Sequence, residues 1–391
     1  MFLRICRTLV PRYRQEPSNV CGLESICSIS ILFFHSTRKS KPNVALSEYL
    51  INQHGFSPEV ARKASSLKIF LTKPERTDSV LSYLKETGFS KTQIERIVYR
   101  YPRVLFSDIE NLVKPKIKVF QELGFPRSDF VSVISADPWI LGRSSDNQIL
   151  PSLTVLKNVL GSLPLVSKVV KMCGNLLKYD LEKTLVPNIE LLKNCAVDYE
   201  QIVNYVLNFP RFFLFSPENI KGFIKRVDEM GFDKSSRMYI VAIVVMSSMT
   251  EKKWELKLKV FKDLGFTDED IRSAFRKMPQ SFALSENKIR EVADILLGLD
   301  DVDVPYIVNH IELLLGSVEK RLKPRLEVLA VLESKHLLKK KHALCTVLKA
   351  SNDAFLKRYV DPYLAELADT SLVKNSFCDV KGVANSIKST P

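Results

Sequence analysis

Two stretches carry the densest positive charge: Lys252, Lys253, Lys257 and Lys259 in one, and Lys320, Arg321, Lys323 and Arg325 in the other, with Lys339, Lys340 and Lys341 close behind. Upstream, Lys114 and Lys118 stand one helical turn apart, as do Lys221 and Lys225, with Arg226 alongside. Arg103, Arg143 and Arg211 recur near one proline position. The chemistry open to these residues is electrostatic. A Lys or Arg that meets a phosphate releases a counterion, so binding weakens steeply as salt rises. Such contacts position a nucleic acid, whereas sequence preference needs side chains at base edges. The plainer alternative for any one lysine is a solvated helix face. For the three arginines it is a cap on the carbonyls of the preceding helix.

No catalytic set accompanies these cations. His35, His54, His310, His336 and His342 show no metal-ligand spacing, and His336 and His342 are six residues apart. Ligands on one helix face would need the i, i+4 spacing. No phosphate-binding glycine loop, dinucleotide fingerprint or nucleophile elbow occurs in the chain. Asp300-Asp301 and Asp268-Glu269-Asp270 suit turns and helix starts, where carboxylates cap free N–H groups and complement the macrodipole. The seven cysteines are odd in number and lack a C-x-x-C pair. Cys173 and Cys195 fall on apolar positions and are expected to be buried thiols. No enzyme, metal or cofactor is expected.

The elements that would position the cations repeat. Residues 97–107, IVYRYPRVLFS, return 36 residues later as VISADPWILGR, then as VVKMCGNLLKY, then as YVLNFPRFFLF. One slot therefore holds Pro102, Pro138, Gly174 and Pro210, and later Pro279. A fixed period of this length marks an array of stacked modules. Before the slot, apolar residues recur at helical spacing (Ile94, Ile97, Val98; Phe130, Val133, Ile134), which predicts one buried face. Proline then ends the helix, and the P-x-(V/I/L/F)-L run after it predicts a short 3₁₀ turn. A second helix follows, with Ile117, Phe120 and Leu123 buried and Lys114 and Lys118 turned outward. Its Pro115, like Pro151, Pro187 and Pro324, is tolerable only near a first turn, so each such helix is expected to begin one or two residues before that step. Gly-Phe pairs such as Gly88-Phe89 and Gly124-Phe125 predict left-handed caps. Pairing caps with slots gives about eight repeats: Gly55/Ile69, Gly88/Pro102, Gly124/Pro138, Gly161/Gly174, Ala196/Pro210, Gly231/Val245, Gly265/Pro279 and Gly298/Ile311. Phe106, Trp139, Phe212, Phe213 and Phe282 are read as packing residues rather than platforms for bases. MYIVAIVVM, residues 238–246, is read as a buried repeat helix, and no segment qualifies as membrane-spanning.

The periodic P-x-(V/I)-L element, the Gly-Phe cap and the closing run FLKRYVDPYLAEL, residues 355–367, resemble the mitochondrial transcription termination factor (mTERF) family in its plant form. The resemblance covers roughly residues 45–370, with departures at the Gly174, Val245 and Ile311 slots. It implies an all-α superhelical solenoid of helix-helix-3₁₀ repeats. It also implies a nucleic-acid-binding protein of organelle gene expression, acting in transcription termination or initiation, RNA splicing or ribosome assembly.

Residues 1–41 hold seven Lys or Arg against two Glu, a net of +5 out of the chain's +14, leaving +9 for the body. An Arg-rich, Ser-bearing, acid-poor start is the composition of a transit peptide. Its arginines begin at position 4, which favours the mitochondrion over the chloroplast. The expected organisation is a leader at 1–41, a solenoid at 42–370 and a frayed tail at 371–391. In register, the cations would form one ribbon for double-stranded DNA or structured RNA. The partners are then organelle nucleic acid and other organelle gene-expression proteins, with no membrane, on a monomer. The alternative is a protein-binding scaffold in an organelle ribonucleoprotein or ribosome-assembly complex.

Overall fold

The computed structural model describes residues 44–66, 74–338, 343–368 and 370. The leader at 1–41, the Ile69 slot, Lys339 to Lys341 and the tail at 371–391 lie outside the described residues. Those described fold as an all-α array of helix pairs. The first five pairs are α1 (Val44–His54) and α2 (Pro58–Ser65), α3 (Pro74–Thr87) and α4 (Lys91–Arg100), α5 (Lys114–Glu122) and α6 (Arg127–Ala136), α7 (Leu150–Leu160) and α8 (Leu163–Met172), and α9 (Leu185–Asn194) and α10 (Tyr199–Asn208). The next three are α11 (Pro217–Glu229) and α12 (Met238–Ser247), α13 (Glu251–Asp263) and α14 (Asp268–Lys277), and α15 (Glu286–Leu297) and α16 (Val304–Asn309). α17 (Lys323–Ser334), α18 (Leu344–Lys349) and α19 (Asn352–Phe355) close the array. The chain divides into two compact bodies, one ending at Lys221 and the other running on from Gly222. In the N-terminal body α4, α6, α8 and α10 pack in succession; in the C-terminal body α12, α14 and α16 do.

The stop works as the sequence predicts. α4 makes its last helical bond from Tyr101 N–H to Ile97 O at 2.8 Å, and Pro102, with no N–H to offer, begins a five-residue 3₁₀ turn. Equivalent turns run Pro138–Gly142, Gly174–Lys178, Pro210–Leu214, Pro279–Ala283 and Ile311–Leu315. Each drops apolar side chains into the core, Val104 and Leu105 in the first and Leu176 and Leu177 in the third. Burial of that kind stabilises by about 1.5–3 kcal/mol per side chain. Gly174 and Ile311 make the turn without proline, whereas at Val245 there is no turn. There α12 continues through the slot, with Tyr239 to Ile243, Val245 and Met246 buried.

Glycines 55, 88, 124, 161, 231 and 265 all take positive φ. At Gly124 the cap closes with Gly124 N–H to Gln121 O at 2.9 Å and Phe125 N–H to Phe120 O at 2.9 Å, leaving Phe125 buried. Ala196 (φ 61°) and His336 (φ 53°) reach the same conformation with a side chain present. Gly298, expected to cap in the same way, stays right-handed at φ −77°. The proline inside the second helix has a larger effect than a shifted start. Wide, π-type turns at Ile109–Val113, Ser145–Ile149 and Val318–Leu322 lead into α5, α7 and α17, so helical backbone begins five residues before Lys114, Leu150 and Lys323. Asp108, Ser144 and Ser317 cap these starts. Proline's missing N–H and its crowding of the carbonyl four residues back account for the loosened turn.

Candidate nucleic-acid interface

The structure sorts the predicted cations into three groups. The first is buried. Lys257 is 7% exposed and donates its Nζ to Leu284 O at the end of the next 3₁₀ turn. Burial pushes its pKa down, the nearby Lys253 adds to that, and Glu286 opposes it. Arg325 is 2% exposed and donates to Val347 O (2.9 Å), Leu348 O (3.1 Å), Ala350 O (2.9 Å) and Asn352 Oδ1 (3.1 Å). Its guanidinium lies over the Phe355 ring at 4.5 Å, and burial lowers its pKa to about 10. Neither side chain can reach a phosphate, so both leave the expected set.

These two belong to a pattern. Ser152 Oγ donates to Tyr179 O (3.1 Å) and Asn188 Nδ2 to Phe215 O (2.8 Å), so with Lys257 three donors reach a turn carbonyl 27 residues on. Thr77 Oγ1 donates likewise to a turn carbonyl, Leu105 O, 28 residues on at 3.1 Å. Lys116, 4% exposed, occupies the equivalent place in α5. In these helices Thr77, Ser152, Asn188, Lys257 and Arg325 tie one repeat to backbone carbonyls of the next, which buried backbone requires. The signal in sequence is modest: Lys116, Ser152, Asn188 and Arg325 each stand directly after the helix proline.

The second group is paired. Lys114 holds Glu110 and lies over the Tyr83 ring at 5.6 Å; its bond to Glu110 raises its pKa. Lys118 meets Glu122 at 3.3 Å, Lys225 meets Glu229 at 4.0 Å and Lys323 holds Glu319. These exposed i, i+4 pairs contribute little stability, but each cancels the charge a phosphate would see. Arg226 is half-buried above Trp254, 5.9 Å from the ring centre.

The third group lies at the surface and has no carboxylate partner among the described residues. Arg103 sits on its 3₁₀ turn and Arg143 just after its own, and neither side chain makes a hydrogen bond or ion pair with the described residues. The capping role open to them falls instead to Arg100, on Ala136 O, and Arg127, on Thr87 O and Glu86 O, all at 2.5 Å. Arg211 is exposed on its turn and touches the Cys173 thiol, whose pKa burial raises. Lys221, Lys252, Lys253, Lys259 and Lys320 are exposed and Arg321 half-buried, with no ion pair to the described residues. Counted back from the caps, Lys118, Lys225 and Lys259 share one helical position. Buried Val155 and Glu190, which is bound to Lys193, occupy it in two intervening repeats. Trp139, read from sequence as packing, is 51% exposed and packs at a tilt against Tyr101, ring centres 5.2 Å apart, between Arg103 and Arg143 in the chain. Cys195 is half-buried rather than buried. No cluster of three metal-ligating side chains occurs among the described residues, and no single helix among them is long and apolar enough to cross a membrane.

Stacked helix pairs, 3₁₀ stops and unpaired surface cations define a helical-repeat protein. The family model named mTERF matches residues 81–163 and 146–356, and the chain belongs to the mTERF family. It is also similar to the Arabidopsis thaliana protein "Transcription termination factor MTERF8, chloroplastic", at 20% identity over 302 residues. The aligned region is 76% of this chain and 56% of that relative, so the chain spans just over half the relative's length.

Proposed function

We propose that the chain binds organelle nucleic acid, double-stranded DNA or structured RNA, through phosphate contacts and regulates organelle gene expression. The observation that carries this reading is the third group of cations. Lys114, Lys118 and Lys323 each hold a carboxylate neighbour. Arg103, Arg143, Lys221, Lys252, Lys253, Lys259, Lys320 and Arg321 have none among the described residues. Each body contributes its own members, on turns and α11 in the N-terminal body and on α13 and the start of the last repeat in the C-terminal one. Membership of the mTERF family and the transcription-termination name of the Arabidopsis relative support the same reading.

The test is binding of duplex DNA and of structured organelle RNA, each at about 50 and 200 mM salt, where several phosphate contacts should cost orders of magnitude in affinity. Salt-insensitive binding, or copurification of a protein partner that survives nuclease and high salt, would support the scaffold alternative. An organelle location is proposed, and a fluorescent fusion of the full chain distinguishes mitochondrion from chloroplast.

A further inference from the structure

In the C-terminal body a cleft of about 730 Å³ opens between the 3₁₀ turns of the seventh and eighth repeats and the start of the last. That is ample for a small organic ligand and far more than a lone phosphate fills. Lys320 and Arg321 line one side, in the first turn of the helix that Ser317 caps by accepting from Lys320 N–H at 3.2 Å. Cations there oppose the helix macrodipole. The equivalent residues in the third and fourth repeats are Asn111 and Leu112, and Asn147 and Gln148. Two unpaired positive charges beside a helix N-terminus therefore work against stability and favour an anion. Lys349 also lines the cleft but is already neutralised by Glu312 at 2.7 Å. Leu313 and Leu322 supply apolar wall.

A second observation is independent of charge. Gln280 lines the same cleft, is only 4% exposed, and its Oε1 is buried with no hydrogen-bond partner among the described residues. A buried amide oxygen without a donor is uncommon and calls for an explanation. Because Gln280 lines the cleft, a rotation of its amide would present that oxygen to an N–H or O–H on an occupant.

We propose that this cleft takes a single nucleotide, its phosphate on Lys320 and Arg321 and a base or sugar donor on Gln280. The combination of anionic end, flat apolar body and hydrogen-bond donor is met by a nucleoside monophosphate and not by phosphate or nucleoside alone. It deepens the nucleic-acid reading, since the nucleotide can be free or the 5′-phosphorylated end of a strand. Calorimetric titration of the full chain with AMP, GMP, CMP and UMP, and separately with inorganic phosphate and the four nucleosides, tests it. At least one monophosphate should bind at least about tenfold more tightly than its two parts, a difference that K320A/R321A removes. Gln280→Leu should weaken the nucleotide while leaving phosphate binding unchanged. Competition by 5′-phosphorylated but not 5′-hydroxyl oligonucleotides would assign the strand end; competition by neither would assign the free nucleotide. Equal, weak binding of nucleotide and phosphate, binding unaffected by K320A/R321A, or no binding at millimolar nucleotide would overturn the proposal. Duplex affinity measured on the same variants separates this outcome from failure of the broader reading, because Arg103, Arg143, Lys252 and Lys253 remain in place.

Discussion

Replacing Arg325 with Met strips four hydrogen bonds from the junction of α17 with α18. Three of the acceptors, Val347 O, Leu348 O and Ala350 O, belong to the C-terminal end of α18, where the helix carries partial negative charge. The guanidinium that caps this end is itself only 2% exposed. Hydrogen bonds from a charged donor each contribute about 1.5–3 kcal/mol, but these four share one desolvation cost and do not add. Leaving a buried acceptor without its donor costs about 1–3 kcal/mol, and a loss of at least that size is expected for R325M. R325K should recover part of it, since an ammonium offers three donors without the planar fork. Urea unfolding, with hydrogen exchange of the α18 amides, measures the effect; those amides should lose protection first. Lys252 and Lys253 provide the contrast, because both are exposed and their replacement by Ala should leave stability within about 0.5 kcal/mol. An R325M protein of unchanged stability and weakened nucleic-acid binding would refute the division of cations by burial.

Gly88→Ala should destabilise more than Gly161→Ala. Both positions hold positive φ, which costs an alanine about 1–2 kcal/mol, but a Cβ at Gly88 runs into Arg127 while Gly161 has open space; comparison of the two unfolding midpoints checks this. Lys257 should leave a mark on the pH dependence of stability. Its folded pKa lies below the ordinary 10.5, so between the depressed value and 10.5 the unfolded chain holds more protons and this group's contribution to stability rises with pH. K257M should flatten that rise in urea titrations between neutral pH and about pH 10. Gln280→Leu removes an unsatisfied buried amide, a group that costs about 1–3 kcal/mol, and should raise or maintain the thermal midpoint of the C-terminal body.

The repeat is legible in sequence because its punctuation is chemically singular. Pro102, Pro138, Pro210 and Pro279 can only stop a helix, and the glycines before Phe89, Phe125 and Phe266 can turn left-handed without strain. Gly174 and Ile311 show that the stop does not depend on proline alone. Leu176 and Leu177, or Leu313 and Leu314, are still buried in the turn, and at Gly174 the latch from Ser152 to Tyr179 O holds its end. Val245 shows the converse, since nine apolar residues in a row leave a helix no reason to break. The fate of each lysine was far less legible. Lys257 and Lys259 are two residues apart and chemically identical, yet one is buried on a carbonyl 27 residues away and the other is exposed. Helical periodicity places Lys257 at the margin of the apolar stripe, and only the neighbouring repeat decides whether the margin is covered. The pairing of Lys114, Lys118 and Lys323 is local, since Glu110, Glu122 and Glu319 stand one turn away in the sequence.

The most direct test is the slope of log affinity for duplex DNA against log salt, compared among the wild-type chain, K252A/K253A/K259A and K257M. Each exposed lysine that engages a phosphate contributes about 0.9 to the slope, so the triple variant should be shallower by up to about 2.7 while K257M keeps the wild-type slope. A triple variant with the wild-type slope, or a K257M variant that loses slope while still folded, would contradict the account.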